Sequence, residues 1–195
     1  MSYDSLIAYI NEYVSLTEDE IDTLKSLTRI KNVRKRQFVV EQGEICRYEN
    51  FVAQGCLRCY HLDEEGHEHV VQFAVENWWI ADLQSFLTQS PANFSVDAIE
   101  PSVLIQFEYS DLQELYEKIP KLERFFRLII QNAYIAAQQR IIGSYSKDAG
   151  KRYIEFRNRY PDIEKRVPQY MVASYLGITP EFLSKIRRRI AGQDT

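Results

Sequence analysis

The chain has 195 residues, of which 45% are hydrophobic and 27% charged, with only seven Gly and six Pro. These values predict one globular domain or two small ones, and they exclude collagen-like, low-complexity and wholly disordered chains. No apolar stretch approaches the roughly 20 residues of a membrane helix. The first residues lack the basic and apolar regions of a signal peptide. We therefore expect a cytoplasmic protein without a membrane segment.

Charge is unevenly distributed along the chain. Residues 1–146 carry 13 Lys and Arg against 22 Asp and Glu, a net charge of −9, whereas residues 147–195 carry 11 against 6, a net charge of +5. The overall net charge of −4 conceals this division. An acidic body with a basic end is typical of proteins that bind nucleic acid through that end.

The first half of the chain changes from helical to strand patterns. Residues 4–14 have the apolar spacing of an amphipathic helix, and a capping box at Thr17 and Glu20 predicts a second helix. Short β-branched and aromatic runs separated by turn residues then predict strands at 37–40, 48–54, 56–62, 68–75, 95–99 and 103–107. Many short strands in series favour a small antiparallel barrel or sandwich.

The three cysteines, Cys46, Cys56 and Cys59, are an odd number, whereas disulfide scaffolds use even sets. Cys56 and Cys59 form a CxxC sequence. On a predicted strand, however, residues three apart point to opposite faces of the sheet. The pattern therefore predicts reduced thiols and disfavours a shared metal or redox site.

Helical spacing returns after the strands, with a short helix at 109–118 that ends before Pro120 and a long helix at 121–142. The long helix carries apolar residues at alternating spacings of four and three, which is the seam of a helix pair. The seam residues are Leu122, Phe126, Ile129, Ala133 and Ala136. Packing within one chain would explain such a face, but the small alanines allow close approach of a second helix. We predict a symmetric dimer through this helix, followed by a hinge at 143–146.

Residues 147–160 predict a further helix that Pro161 ends, and residues 169–189 have the pattern of a helix-turn-helix. Gly177 suits the left-handed turn after the first helix. Thr179 and Pro180 suit the N-cap and the first position of the second helix. The predicted apolar face of that second helix consists of Phe182, Leu183 and Ile186.

The outer face of the second helix has the residue types of a recognition helix in the major groove. Lys185 suits guanine acceptors, Glu181 suits the cytosine amino group, and Arg187 suits phosphate or solvent. Thr179 and the neighbouring helix amides suit a phosphate. The predicted DNA-binding residues are Thr179, Pro180, Glu181, Ser184, Lys185, Arg187 and Arg188. The alternative is a helical hairpin with a solvated basic face.

The order of these elements, together with residues 81–86 and 167–189, resembles the Crp/Fnr family of bacterial transcription regulators over nearly the whole chain. The resemblance implies an α+β fold. An N-terminal antiparallel β-roll of the double-stranded β-helix or jelly-roll type is flanked by helices, and a long dimerisation helix and a C-terminal helix-turn-helix domain follow. It implies a cyclic-nucleotide-binding-like effector domain at 1–142, which includes the long helix, and a DNA-binding domain at 143–195. It also implies a homodimer on two-fold symmetric double-stranded DNA. RNA polymerase and an unidentified small-molecule effector are further candidate partners.

Family members that bind cyclic nucleotides carry a Gly-Glu pair and, about ten residues later, an Arg-Ser or Arg-Thr pair. Ala81-Asp82 and Phe94-Ser95 stand at these positions, so Phe94 replaces the arginine that would neutralise the phosphate, and nothing in the sequence places Arg47 or Arg58 there instead. We predict that cAMP and cGMP do not bind tightly, because a buried phosphate needs a cation. The candidate effector pocket comprises Trp78, Ala81, Asp82, Leu83, Ser85, Phe86, Phe94 and Ser95. Core filling is the alternative role of its aromatic residues.

Two other functions stay open. One is an effector-binding module that works through protein contacts without binding DNA. The other is a cupin-like metal enzyme, in which His67 and His69 share a strand face but Glu76 falls on the other face.

We expect neither an enzyme nor a bound metal or cofactor. The first cysteine lies too late for the family's iron–sulfur ligands, and His61, His67 and His69 are weak haem ligands. Six residues follow Arg189, so we expect a β-hairpin wing to be absent or trimmed.

Overall fold

The computed structural model describes residues 2–191. The chain begins with two helices, α1 (Ser2–Asn11) and α2 (Glu18–Ser26). The predicted capping box is present at the start of α2: the Thr17 amide donates to Glu20 Oε2 at 2.7 Å, and the Glu20 amide donates to Thr17 Oγ1 at 3.3 Å. These two bonds satisfy amides that the helix leaves without partners, and they fix where α2 begins.

Within residues 2–191, eight strands form two four-stranded antiparallel sheets. The strands are β1 (Arg29–Val33), β2 (Phe38–Val40), β3 (Tyr48–Gln54), β4 (Leu57–Leu62), β5 (Glu68–Ala74), β6 (Trp79–Ile80), β7 (Ser95–Ala98) and β8 (Ser102–Glu108). The first sheet has the order β1-β8-β3-β6 and the second β2-β7-β4-β5. Buried side chains of both sheets belong to one hydrophobic core, so the predicted β-roll is confirmed.

All six predicted strands are present, and the two that the sequence missed have physical reasons. Strand β1 is polar and exposed except at Val33, so it lacks the alternation that marks a half-buried strand. Strand β6 has only two residues. A six-residue helix, α3 (Leu83–Thr88), follows β6 and was also missed; Asp82 caps it by accepting from the Ser85 amide at 3.0 Å.

The rest of the described chain, as far as residue 191, is mainly helical. The helices are α4 (Tyr109–Lys118), α5 (Pro120–Ser146), α6 (Ala149–Arg159), α7 (Ile163–Arg166), α8 (Gln169–Leu176) and α9 (Pro180–Ala191). None of the helices within the described chain has the length and hydropathy of a membrane span. The position expected for a wing, after Ala191, lies outside the described residues.

The long helix differs from its prediction at the C-terminal end. Helix α5 does not stop at residue 142 but continues to Ser146, so residues 143–146 form its last turn and not a hinge between elements. Gly143 is buried there, and a Cβ at this position would lie 3.6 Å from Lys147 Cδ. One glycine costs a helix only about 1 kcal/mol, so a single glycine does not by itself end the helix.

A second hydrophobic core joins the outer face of the β4–β5 sheet to the C-terminal helices. Its buried members from the roll are Cys56, Tyr60, Val70, Phe73 and Ile99, and the others come from the segment 153–186. Cys59 belongs instead to the core between the sheets. The prediction that Cys56 and Cys59 face opposite sides of the sheet is therefore confirmed.

Polar contacts anchor α8 to β5, the edge strand of its sheet. Ser174 Oγ donates to the Glu68 carbonyl at 2.6 Å and accepts from the Val70 amide at 3.0 Å. Arg140 of α5 donates to the carbonyls of Val70 and Val71 in β5 and to that of Tyr175 in α8, the last at 3.1 Å. Backbone groups that an edge strand leaves exposed are thus used to fix the C-terminal helices.

An ion-pair cluster anchors α7 to the same sheet. Arg166 donates to both carboxylate oxygens of Glu76, at 2.8 and 3.0 Å, and to Glu100 at 2.6 Å. Glu76 also accepts from the Gly55 amide at 2.8 Å. Burial raises the pKa of Glu76, but the hydrogen bonds from Arg166 and Gly55 outweigh it and hold the pKa below its usual value. The Arg166 side chain is only 26% exposed, so this cluster is partly shielded from solvent.

We expect Arg166→Met to lower the free energy of unfolding by about 1–3 kcal/mol, because it leaves Glu76 and Glu100 without their shared cation. Urea denaturation followed by circular dichroism would measure the change. The neighbouring variant Lys165→Met is the matched control, since Lys165 pairs with Asp162 in an exposed position, where ion pairs contribute little. Equal stability of the two variants would contradict the anchoring role of Arg166.

Candidate DNA-binding surface and effector cavity

The predicted helix-turn-helix is present at α8 and α9. Gly177 has φ of +65°, and its amide donates to the carbonyls of Ala173 and Ser174 at the end of α8. Thr179 accepts from the Phe182 amide at 3.2 Å and so caps α9, with Pro180 as the first helical residue. Glycine adopts this backbone conformation without strain, which explains why the turn lies here.

The outer face of α9 differs from its prediction at one residue. Leu183 and Ile186 are buried as predicted, but Phe182 is 48% exposed and does not belong to the core. It lies beside Glu181 and Lys185, which are also exposed. The prediction was wrong because Phe182 is adjacent to Leu183, and consecutive helix positions diverge by about 100° around the axis. An exposed aromatic ring on this face suits apolar contact with a thymine methyl group.

The predicted DNA-binding residues fall into two groups. Within the described chain, no hydrogen bond or ion pair holds the exposed side chains of Lys185 and Arg188. Ser184, by contrast, donates to the Pro180 carbonyl of its own helix at 3.0 Å, and Arg187 Nε lies 3.5 Å from the Glu164 carboxylate. Lys185 and Arg188 are therefore the cations best placed to reach a ligand.

The N-terminus of α9 already has an internal anion. Hydrogen bonds from the Glu181 amide and from Thr179 lower the pKa of Glu181, so its carboxylate is ionised at neutral pH. This arrangement places negative charge where Thr179 and the helix amides were predicted to hold a phosphate.

The seam predicted for dimerisation is divided between two environments. Leu122 and Phe126 are buried in the core of their own chain, and Ile129 packs against it. Ala133 is exposed and Ala136 is half-buried. The first half of the seam therefore serves the fold of one chain, and only the second half is accessible to a partner.

Further along α5, large apolar side chains are exposed to solvent. They are Ile130, Tyr134, Ile135, Ile141, Ile142 and Tyr145. Pairs such as Ile135 and Ile142 are seven residues apart, the repeat of a paired helix. This surface is offset by one or two positions from the predicted seam. The reason is that the predicted spacing included Leu122, Phe126 and Ile129, which pack against the roll of their own chain.

Asp82, a residue of the predicted effector pocket, forms its hydrogen bonds with the backbone of its own chain. The side chain is 2% exposed. One carboxylate oxygen accepts from the Ser85 amide, and the other accepts from the amides of Asn93 and Phe94 at 2.7 and 3.1 Å. These bonds close the loop between α3 and β7. The carboxylate is therefore engaged within the chain and is not presented to a ribose hydroxyl.

Three more residues of the predicted pocket are held in the roll. Ser85 Oγ donates to the Ser90 carbonyl and accepts from the Cys46 amide, and Ser95 Oγ accepts from the Gln42 amide at 2.9 Å. The Phe94 ring meets His61 edge-on at 6.2 Å between ring centres.

Arg58, a candidate replacement for the missing phosphate-binding arginine, is 6% exposed. It donates to both oxygens of Asp97, at 2.7 and 3.1 Å, and also to Glu68. Its charge is therefore matched within the sheet and is not presented to a phosphate.

The other predicted pocket residues, Trp78, Ala81, Leu83 and Phe86, do line one large cavity of about 1080 Å³. It runs from the mouth of the roll along α5 to the C-terminal helices, where Trp78 stacks on Tyr160 with ring centres 5.0 Å apart. Residues of α5 from Phe126 to Ser144 form one wall. The structure thus joins four of the eight predicted residues to the inner face of the long helix.

Glu49 and Trp79 also line this cavity; the aromatic residues around Trp78 and Trp79 were candidate pocket residues, but nothing in the sequence indicated a role for Glu49. The Glu49 side chain is 9% exposed, and within the described chain neither its Oε2 nor Trp79 Nε1 has a hydrogen-bond partner. Burial raises the pKa of Glu49 to about 8. A single glutamate on a strand is ordinarily expected to be exposed. The sequence pattern therefore could not reveal that Glu49 is buried.

The histidines of the β4–β5 hairpin are surface groups. His67 and His69 are exposed, and His69 Nε2 lies 2.7 Å from Asp63 Oδ2. The His69 hydrogen bond is the main cause that lowers the pKa of Asp63 to about 2. Among the described residues, no group of three or more His, Cys, Asp or Glu side chains is arranged to hold a metal ion.

The three cysteines are buried and reduced. Burial raises the pKa of Cys46 to about 11 and those of Cys56 and Cys59 to about 12. The thiolate is the reactive form, so these thiols are poor nucleophiles at neutral pH.

We expect Glu49→Gln to change how stability depends on pH. The folded state holds the Glu49 proton more tightly than the unfolded state does, so wild-type stability falls as pH rises from about 4.5 to about 8 and then levels off. Each unit of pKa difference corresponds to about 1.4 kcal/mol, and glutamine removes this loss. The melting temperature of the variant relative to wild type should therefore increase over this interval.

The control for this titration is Glu12→Gln, which removes an exposed carboxylate that lines the same cavity. Thermal melts in buffers from pH 5 to about pH 9 would compare the three proteins. A constant difference between Glu49→Gln and wild type over this range would show that Glu49 does not titrate with a raised pKa.

Comparison with known proteins agrees with this architecture. Residues 30–119 match the family described as the cyclic nucleotide-binding domain. The chain is 25% identical to the fumarate and nitrate reduction regulatory protein of Vibrio cholerae, over 90% of the chain and 74% of that relative. FixK2 of Bradyrhizobium japonicum has a similar structure, with a TM-score of 0.73, 16% identity and 86% of each chain covered. The regulator CLP of Xanthomonas campestris matches with a TM-score of 0.71 and 12% identity, over 91% of this chain and 93% of CLP. With its β-roll, long helix and helix-turn-helix, the chain is thus similar over most of its length to the Crp/Fnr transcription regulators, and residues 30–119 match the cyclic nucleotide-binding domain of that architecture.

Proposed function

We propose that this regulator binds a two-fold symmetric operator in double-stranded DNA as a homodimer and reads each half-site with α9. The exposed face of α9 carries this proposal, because it presents Lys185, Arg188 and Phe182 to solvent on one side of a capped helix. A recognition helix uses such residues for base edges and phosphates in the major groove. The anchoring of α8 to β5 sets the direction in which this face points.

The second half of α5 supports the dimer. Its exposed isoleucines and tyrosines form an apolar stripe that one chain leaves in water, and burying it against the same stripe of a second chain is favourable. The exposed Ala133 lets two helix backbones approach closely. A symmetric pair places two copies of α9 to meet half-sites about one DNA turn apart, roughly 34–36 Å.

The regulator is proposed not to respond to cAMP. Asp82 and Ser95 at the nucleotide-signature positions are engaged by backbone amides, and Arg58 is held by Asp97 and Glu68. A cyclic phosphate entering this region would find the Arg58 guanidinium already paired, and burial of the phosphate without a cation would be unfavourable.

Regulation would take place in the cytoplasm, where the operator and RNA polymerase are found, and we propose no enzymatic step. A module that acts through protein contacts alone is the second candidate. It needs the buried residues of the helix-turn-helix but has no need of cations on α9, so the exposed Lys185 and Arg188 favour DNA binding.

Selection of binding sites from random duplex DNA tests the proposal. We expect a palindrome whose half-sites are one turn apart. Lys185→Ala should weaken binding to the selected site by about tenfold or more and relax its preference at one position per half-site. Lys31→Ala in the roll removes the same charge from an exposed strand residue and is the matched control. If no sequence is enriched, or if both variants bind as wild type, α9 does not read DNA.

Titration calorimetry with cAMP tests the second part. We expect no binding tighter than millimolar, and we expect substitutions at Phe94 and Ser95 to leave the heat unchanged, because neither residue contacts the nucleotide. Operator affinity measured with and without cAMP should be the same. Micromolar binding of cAMP would contradict this part of the proposal and leave DNA reading by α9 unaffected.

A further inference from the structure

The Glu49 end of the cavity combines a buried acid with aromatic walls. Glu49 projects from the central region of the first sheet, beneath the helices α1, α4 and α5, and its neighbours along the cavity include Tyr9, Trp79, Tyr116 and Phe126. Trp79 and Phe126 have ring centres 5.1 Å apart, and Phe126 and Tyr116 are 5.7 Å apart. Burial, with a further contribution from the Glu49 charge, raises the pKa of Tyr116, so the two side chains are electrostatic neighbours.

No positive charge from the described chain balances this acid. The two basic residues that line the cavity, Arg140 and Arg159, are both placed towards the C-terminal helices. Arg140 is held by backbone carbonyls and stacks over Tyr175 at 4.1 Å, and Arg159 lies over Trp78 at 5.2 Å. Two further acids line the cavity: Glu12 is exposed, and Glu76 is paired with Arg166.

We propose that this end of the cavity binds an organic cation, such as a protonated amine attached to an apolar body, with Glu49 as its counter-ion. A buried carboxyl group without a partner is costly to keep, and a cation would supply the missing charge and hydrogen bonds together. The electron-rich faces of Trp79, Tyr116 and Phe126 add cation–π attraction. The apolar wall formed by Phe86, Leu112 and Ile129 suits the hydrocarbon part of the ligand.

Other ligand chemistries fit less well. An anion would be repelled by the ionised Glu49 carboxylate and could bind only while Glu49 stays protonated. A neutral apolar molecule would leave the carboxyl group without a hydrogen-bond partner. This binding site is independent of whether α9 reads DNA. It deepens the proposed function in one respect, because a ligand here would contact α5 and could act on the dimer.

Calorimetry and thermal melts of the full chain with matched probes test the proposal. The probes are phenethylamine and hexylamine, phenethyl alcohol and hexanol as neutral analogues, and phenylacetate and hexanoate as anionic ones. We expect both amines to bind and to raise the melting temperature, and we expect affinities about tenfold or more above those of the alcohols and acids. This comparison uses wild-type protein only and does not depend on any variant folding.

The variant Glu49→Gln preserves the side-chain volume and removes the charge. It should lose about tenfold or more in amine affinity while its weak affinity for the alcohols stays the same, and Glu12→Gln should keep most of the amine affinity. The proposal is overturned if neither amine binds up to millimolar concentration, if amines and alcohols bind equally, or if Glu49→Gln binds amines as wild type does. None of these outcomes bears on the operator selection, which is measured without ligand.

Discussion

The packing of the C-terminal helices against β5 is the interaction on which the rest of the arrangement depends. This strand is at the edge of its sheet, and its outer face supplies Val70 and Phe73 to the second core. Its backbone carbonyls accept hydrogen bonds from Arg140 of α5. Its backbone also donates one hydrogen bond to Ser174 of α8 and accepts another from it. Three consequences follow. The contacts complete the second core, and Arg140 and Ser174 occupy backbone groups of an edge that could otherwise pair with another chain. They also fix the helix-turn-helix relative to the roll.

Much of the fold could be predicted from local pattern. The capping box at Thr17, the β-branched and aromatic runs of the strands and the glycine turn at Gly177 are each decided by residues within a few positions of one another, so they can be recognised in the sequence alone. Strand β1 is different, because it exists only through pairing with β8, far along the chain. The continuation of α5 through Gly143 likewise has no local signal, because the surroundings that bury Gly143 include Glu155 of the next helix.

The candidate site was harder to predict than the fold. The sequence showed that the nucleotide-binding arginine is missing, but not that Asp82 closes a loop with three amides. It identified the core positions Leu183 and Ile186, yet it placed Phe182 on the wrong side of the helix. Glu49 could not be found at all, because a single glutamate on a strand has no local signal of burial. Each miss concerns what surrounds a side chain, which is a property of the assembled core.

The unbroken helix α5 connects the roll to the C-terminal helices as one rigid element. A helix of 27 residues is about 40 Å long and behaves as a stiff rod, since every turn is held by the next. Its first turns, with Leu122 and Phe126, are embedded in the roll, and its last turn abuts the helices that carry α9. A tilt of about 5° at the embedded end moves the far end by about 3.5 Å, the distance between successive base pairs. In the proposed dimer, a small tilt of α5 would therefore shift the two copies of α9 by a distance comparable to the spacing of the bases that they are proposed to read.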